Sequence, residues 1–472
     1  MDGMMNGYRF AVALVVAALF AGQNTVQIHL HGASRTIGGY VVSIAFLAAV
    51  AEFATLGIGR RLRNSTTIDG RGVPTRAAWA VATVLLVVDL FAKKLSAYIA
   101  VPHRPPPLWP TVAVVAGWVA ILAYARRARS KRVAIAIGLS WLAAGTGLLV
   151  MLASPFDRLT GDMLWNINRA LNALEAGRFP YLDAPPPMPY LSGTFLAYAP
   201  PHRLRLDLRL TNLVLLAVTA AAASRFLAPS GSRDDELSTS QWAFAFFLLQ
   251  PTWVAYEVNT QYAPTVLASL ILGRAVSRAG PWGQALALGV AVGTNQMLAA
   301  SAPILAASWA RRSGGRKALA LTIGSIAVFL AMIGPFLLWN PRQFVAVAFL
   351  ARGPLPLEVL SGRFTLLPLS LGVVPHASLV LSGLAIAPAA WFAWRARSGA
   401  GVVAAMALGL GAALLVQPSS FSHYVMPVIA LAAAAPVEVG AAGRRGPHRA
   451  PGRGRGIQPQ MTPISQMKEK DQ

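Results

Sequence analysis

Long apolar runs alternate with short polar loops along most of the 472 residues. A helix needs roughly 20 apolar residues to cross a hydrocarbon core of about 30 Å. About a dozen segments approach that length, namely 9–22, 38–57, 76–92, 109–125, 133–153, 207–227, 241–256, 263–277, 317–339, 377–395, 400–416 and 424–438. The pattern predicts an all-α polytopic transmembrane helical bundle of about 12–14 spans.

One further apolar stretch, 283–310, is interrupted by Asn295 and Gln296. It is too long for one span and too short for two. We therefore predict two short helices that enter the bundle from one side.

The composition excludes a soluble enzyme, because the chain is 55% hydrophobic and 12% charged, with a mean hydropathy of +0.54. Its 41 Lys and Arg against 17 Asp and Glu give a net charge of +24, which in a soluble protein suggests nucleic acid. Here the basic residues cluster between apolar runs, as in the cytoplasmic loops of membrane proteins, so no nucleic-acid partner is expected. The absence of cysteine excludes disulfides, thiol catalysis and cysteine-ligated metals.

Arg-rich loops predict the orientation in the membrane. Four of them alternate consistently as cytoplasmic, namely 58–76, 126–132, 311–317 and 394–399. The segments between them then face outward, namely 22–37, 93–108, 154–206, 257–262, 295–296, 340–376 and 417–423. This arrangement predicts a multi-pass protein of the plasma (inner) membrane with both termini inside.

The chain divides into three predicted parts. Residues 1–132 form an N-terminal extension of four spans, and residues 133–438 form the main membrane module. Residues 439–472 are rich in Pro, Gly and Arg and are expected to be a disordered cytoplasmic tail that meets anionic lipid.

Polar residues that topology does not explain gather in the predicted outward loops. They are Asp157, Asp162, Asn166, Arg169, Glu175, Asp183, His202, Arg203, Glu257, Asn259, Gln261, Asn295, Gln296, Asn340, Arg342, Ser419, Ser420, Ser422 and His423. Few charges fall within the spans. Asp89 and Lys93, one helical turn apart, can satisfy each other, while Glu52 stands alone.

An amphipathic helix is predicted from Asp162 onward. The apolar Met163, Ile167, Ala170, Leu171 and Leu174 recur at helical spacing, and Asp162, Asn166 and Arg169 share the other face. Such a helix suits the outer membrane surface, with the polar row facing water. Asp162 either caps this helix or takes part in chemistry, and the two roles are compatible.

In order, these features resemble the GT-C class of membrane glycosyltransferases. The likeness rests on an outward carboxylate after a span, a helix ending in EAGRFPY, and the stretch PMPYLSGTFLAYAPP. It continues through EVNTQYAPTVLASLILGRAVSRAGPWGQALALGVAVGTNQM and SSFSHYVMP, over roughly residues 133–438. The chain is most similar to bacterial polyprenyl-phosphate-mannose-dependent mannosyltransferases.

The resemblance implies transfer of a sugar, of mannose or arabinose type, from a polyprenyl-phosphate donor to an envelope glycan or lipid acceptor, with inversion. It implies Asp162 as catalytic base, with Asp157 as the alternative. Positive groups for the donor phosphate are Arg342, Arg203 and His423. Sugar or acceptor contacts are assigned to Asn166, Arg169, Asn259, Gln261, Asn295 and Gln296.

Two departures from the family stand out: two aspartates compete for one role, and Asn295-Gln296 replaces a basic residue that such enzymes often have. No metal or cofactor is expected, since the dense acidic run Asp234-Asp235-Glu236 is predicted to lie inside. Two other classes stay open. A lipid or solute transporter predicts polar residues along a path through the bilayer, and a non-catalytic envelope-assembly partner predicts dispensable carboxylates.

Overall fold

The computed structural model describes residues 73–74, 108–128, 130–153, 156, 162–181, 190–226, 236–237, 258–350, 377–396, 398–416 and 425–434. The predicted spans 9–22, 38–57, 76–92 and 241–256 lie outside these residues, as do Asp157, His423 and the basic tail.

Nearly all of the described residues are helical, which confirms the predicted helical class. The longer helices are α1 (Leu108–Arg127), α2 (Lys131–Ala153), α3 (Asp162–Glu175), α6 (Arg209–Phe226), α7 (Ala263–Arg278), α8 (Pro281–Thr294), α9 (Ser301–Ser313), α10 (Gly315–Trp339), α12 (Ala377–Arg395), α13 (Gly399–Val416) and α14 (Val425–Ala434). The short ones are α4 (Ser192–Phe195), α5 (Ala199–Arg203) and α11 (Pro341–Val345), with 3-10 turns at Leu196–Tyr198 and Gln296–Ala300 and a π turn at Ala346–Leu350.

A two-residue antiparallel pair, Val73–Pro74 (β1) with Glu236–Leu237 (β2), departs from the all-α prediction. It joins two segments that the charge pattern predicts to lie on the same side of the membrane.

Three helices in the described part of the chain are long and apolar enough to cross a membrane: Leu108–Arg127, Val133–Ala153 and Gly315–Trp339. Helices also occupy the predicted spans at 207–227, 263–277, 377–395, 400–416 and 424–438. The length of the apolar runs therefore locates these helices well, because a membrane-spanning helix needs a continuous apolar segment.

The stretch 283–310 folds as predicted into two short helices that meet at Asn295-Gln296. Asn295 ends α8, and its side-chain oxygen accepts a hydrogen bond from the Met297 N–H at 3.1 Å. The indole N–H of Trp309 in α9 donates to Gln284 Oε1 in α8 at 2.8 Å. The two helices thus run antiparallel, as a hairpin.

Side-chain contacts define two ends of the bundle. One end, called here the polar end, joins the starts of α6 and α7 to the last turn of α8: Arg209 contacts Asn259, and Asn295 Nδ2 donates to Thr265 Oγ1 at 3.1 Å. The opposite end is called the basic end. Its cations lie at the ends of α7, α9 and α12 and the start of α10, namely Arg278, Arg311, Arg312, Arg395, Arg316 and Lys317.

Helix α3 lies across the polar end, but not as predicted. Its apolar residues Leu164, Ile167 and Leu171 are buried in a protein cluster with Tyr198 and Phe336 and do not face lipid. Ser192 and Thr194 of the neighbouring α4 hold this layer to the bundle through hydrogen bonds to the carbonyls of Met332 and Thr294.

Candidate functional site at the polar end

A buried arginine is the centre of the polar end. Arg209 begins α6 and is 2% exposed. Its Nε lies 3.0 Å from both Oδ1 and Oδ2 of Asp207, and its Nη2 donates to Oδ2 at 2.6 Å. Its Nη1 donates to Asn259 Oδ1 at 3.2 Å, and Phe156 stacks beneath the guanidinium, 5.8 Å from its ring centroid. Asp207 therefore compensates most of the buried charge.

The segment Val258–Tyr262, which precedes α7, is held through its backbone. Asn212 of α6 donates through Nδ2 to the carbonyls of Val258, at 2.8 Å, and Thr260, at 2.7 Å. The Tyr198 hydroxyl donates to Asn212 Oδ1 at 2.7 Å. Asn212 and Tyr198 are fully buried, so they fix the backbone of this segment at two of its carbonyls.

Three consecutive side chains of this segment carry buried polar atoms without a hydrogen-bond partner. They are Asn259 Nδ2, Thr260 Oγ1 and both amide atoms of Gln261. Gln261 is 1% exposed. An unpaired buried polar group costs about 1–3 kcal/mol, so three such residues in a row are suited to bind a polar ligand.

A second polar cluster ties α3 to α5. His202 is buried, its Nδ1 lies 3.2 Å from Asn168 Oδ1, and its Nε2 lies 3.4 Å from a carboxylate oxygen of Glu175. Both partners are on α3. His202 thus holds the surface helix against the bundle.

A third feature is the buried Tyr181, whose hydroxyl has no hydrogen-bond partner. The rings of Phe179, Phe195, Phe336 and Phe344 surround it, with centroids 4.7–5.9 Å away. Burial raises the pKa of the Tyr181 phenol well above its usual range.

The predicted exposure of the polar residues of α3 is wrong in part. Asn166 was expected to face water, but it is 3% exposed and its Nδ2 has no partner. The reason is that segment 190–208 packs over α3 and widens its buried arc to about half of the helix circumference. Arg169 is partly buried, and Asp162 is the first residue of α3.

The other predicted residues fall into different settings. Asn259 contacts Arg209, and Gln261 is buried two residues further along the same segment. Asn295 is the N-cap of the 3-10 turn that begins at Gln296. Arg203 and Arg342 are exposed, whereas the histidine next to Arg203, His202, is buried.

Sequence reasoning missed the buried arginine of the polar end and its partners. Arg209, Asp207 and Asn212 fall within or at the edge of a predicted span, 207–227, where they were counted as part of the helix. The sequence did contain a signal for this site, namely Asp207 and Arg209 on either side of Leu208 at a span boundary. Charged side chains at such a boundary must be paired or reach water.

Comparisons with protein-family models, with curated proteins and with solved structures find no match for this chain.

Proposed function

We propose that this chain is a membrane glycosyltransferase of the GT-C type, which moves a sugar from a polyprenyl-phosphate donor to an envelope glycan or lipid acceptor. The observation that supports this most directly is the run of buried polar atoms without partners at Asn259, Thr260 and Gln261, in a segment that contacts Arg209 through Asn259 at one end of an apolar helical bundle. Such a site suits a ligand with many oxygen atoms at a membrane boundary.

The proposal places the bundle in the plasma membrane with about 12–14 spans and the polar end outward, and the apolar surface of the described helices supports a membrane location. Helices α1 and α10 expose large apolar side chains along their length, including Val112, Val119, Leu319 and Leu330. Five exposed tryptophans lie near helix ends, as at the two interfaces of a bilayer: Trp109 and Trp339 on the polar side, and Trp282, Trp391 and Trp394 on the basic side.

In the proposed reaction, an acceptor hydroxyl oxygen forms a bond to the anomeric carbon while the bond from that carbon to the phosphate oxygen breaks. The bonding electrons leave with the polyprenyl phosphate, and the hydroxyl proton passes to a carboxylate. Asp162, with Asp157 as alternative, is the proposed base. Asn166 and Arg169 follow Asp162 at four and seven residues, so they share its strip of α3.

Asp162→Asn tests the function. The amide keeps the shape and most of the capping capacity but accepts no proton, so sugar transfer should slow by about 10²–10⁴-fold. A lost helix cap alone costs only about 1 kcal/mol of stability. Transfer of labelled sugar from polyprenyl-phosphate donors to a crude envelope acceptor fraction measures the rate.

Near wild-type transfer by a normally expressed Asp162→Asn protein would exclude Asp162 as the base. Asp157→Asn is the companion variant. If only Asp157→Asn is inactive, the base lies five residues earlier; if both variants still transfer sugar, neither aspartate is the base. Absence of sugar transfer by the wild-type protein would contradict the transferase proposal.

A transporter is the second candidate, and the α8–α9 hairpin favours it. Helices of 14 and 13 residues that meet at a polar break resemble the half-helices of transporter binding sites. Uptake of a labelled substrate into vesicles, with no sugar transfer, would support this alternative.

A further inference from the structure

We propose that Asn259, Thr260 and Gln261, together with Arg209, form the binding site for a singly charged phosphate ester. This inference rests on the proposed function and deepens it, since the donor's sugar and lipid flank such a phosphodiester. It replaces the exposed Arg203 and Arg342 with buried groups as the main phosphate contacts.

The orientation of the Asn259 amide is fixed by its neighbour. Its Oδ1 accepts a hydrogen bond from Arg209 Nη1 at 3.2 Å, so the other end of the amide must be Nδ2. Nδ2 is buried and has no partner. It is a donor that needs an acceptor.

Gln261 has even fewer side-chain hydrogen bonds than Asn259. Both amide atoms are without partners although the residue is 1% exposed. The Thr260 hydroxyl, also unpartnered, lies between the two amides in the chain. The segment therefore offers two N–H donors and a hydroxyl donor to a ligand rich in acceptor oxygens.

The start of α7 adds a favourable field. Helix α7 is 16 residues long and begins at Ala263, two residues after Gln261, and no side chain caps its first turn. The first N–H groups of a helix carry a partial positive charge that favours an anion. Gln261 is thus a buried, unpartnered donor at an uncapped helix N terminus.

The site is rigid before any ligand arrives. Asn212 holds the carbonyls of Val258 and Thr260, and Tyr198 holds Asn212. These two side chains are positioning residues, because they fix the backbone and leave the side chains of 259–261 available. A preformed donor set loses little conformational entropy on binding.

The charge balance selects the type of anion. Asp207 binds the Arg209 guanidinium on one side and compensates its charge, while the Asn259 side of Arg209 carries a neutral amide. The repulsion between the Asp207 carboxylate and a bound anion is about half as strong for a monoanion as for a dianion. The Asp207 side chain is 25% exposed and marks the solvent-facing edge of the site.

The test uses the full-length protein purified in detergent micelles and four probes: inorganic phosphate, a short-chain isoprenyl phosphate, a polyprenyl-phosphate hexose and the polyprenol alone. We expect saturable binding, seen as a rise in Tm, to be strongest for the polyprenyl-phosphate hexose and absent for polyprenol. Stronger binding of inorganic phosphate than of the hexose phosphodiester would overturn the proposed selectivity for a lipid-linked monoanion.

Gln261→Met tests the site itself. Methionine has a similar shape without hydrogen-bonding groups, so the ligand-free protein should be at least as stable as wild type, while the Kd for the hexose phosphodiester should rise about tenfold or more. Tyr181→Phe is the matched control, because it also removes a buried unpartnered polar atom but lies in the aromatic cluster. Its Kd should equal that of wild type.

An unchanged Kd in Gln261→Met would overturn the inference, as would a large loss of binding in a protein with alanine at Arg203, Arg342 and His423 alone. The two proposals fail separately. If the phosphodiester binds through Gln261 but no sugar is ever transferred, the transferase function is wrong and the site stands. If sugar is transferred and Gln261→Met binds normally, the function stands and the site is wrong.

Discussion

At the scale of single residues, buried polar atoms without partners are of two kinds. Gln261 has polar neighbours in the chain, one of which, Asn259, contacts the Arg209 guanidinium, and it precedes a helix whose N-cap makes no side-chain capping bond. The Tyr181 hydroxyl has no partner, and the Tyr181 ring packs among aromatic rings in an apolar cluster. The first setting suits a ligand, whereas the second is a packing site in which the hydroxyl contributes no favourable contact.

Tyr181→Phe should therefore keep or raise the stability of the fold, by up to about 1 kcal/mol, because it removes an unpartnered buried hydroxyl and keeps the ring. Thermal melting in detergent checks this. Because burial raises the pKa of Tyr181, this residue makes the free energy of unfolding depend on pH. Below the unfolded-state pKa of about 10 the phenol is neutral in both states and its effect on stability is constant. Above that pH the unfolded phenol ionises while the folded one stays neutral, so stability falls. In Tyr181→Phe this part of the stability loss at alkaline pH should disappear. A Tm lower than that of wild type at neutral pH would show that the hydroxyl has an unrecognised partner.

At the scale of elements, close helix contacts depend on glycines. Helices α8 and α10 approach so closely that a Cβ on Gly289 would lie 2.6 Å from the Ser325 carbonyl oxygen and from Val328 Cβ. One turn later, Gly293 faces Met332, and Gly193 of α4 fits against the Gly293 carbonyl. Small residues thus let α8, α10 and the layer above them pack backbone to backbone.

Gly289→Ala should destabilise the protein by about 1–3 kcal/mol, since the added methyl group meets backbone and must separate α8 from α10. Gly334→Ala is the control, because nothing lies within 4 Å of its Cβ position. That change should be neutral or stabilising by up to about 1 kcal/mol, as expected for alanine in a helix. Denaturation of both variants in the same detergent makes the comparison, and equal effects would contradict the close α8–α10 contact.

Helix positions were predictable from the sequence, whereas helix environments were not. The break at Asn295-Gln296 and the ends of α2, α10 and α12 follow from apolar run length alone. Periodicity also placed Asn166 on the water-facing side of α3, but it contains no information about segment 190–208, which packs in the same cluster as α3. Arg209 was missed for the same reason: its burial depends on Asp207 together with Asn259, fifty residues away.

At the scale of the whole molecule, charge separates the two ends of the bundle. The basic end of the bundle contains the cations from the last turns of α7, α9 and α12 and from the first turn of α10. There, Arg312 Nη2 donates to the Ala396 carbonyl at 3.3 Å. The amides, Arg209 with its carboxylate partner, and the surface helix α3 collect at the other. Under the positive-inside rule, this asymmetry predicts that the basic end is cytoplasmic.

Because the chain contains no cysteine, single introduced cysteines report this orientation without background. Asn172 is exposed on α3, and Gly315 is exposed at the start of α10 with open space around it. In intact cells, an impermeant thiol reagent should label Asn172→Cys but not Gly315→Cys, and both should react once the membrane is permeabilised. The same contrast is expected between cysteines at Pro185, labelled, and Ser232, protected, which extends the test to two loops of opposite predicted side. The reverse pattern would place the polar end in the cytoplasm, where an acceptor in the outer envelope could not reach Asp162, and the transferase proposal would fail with the topology.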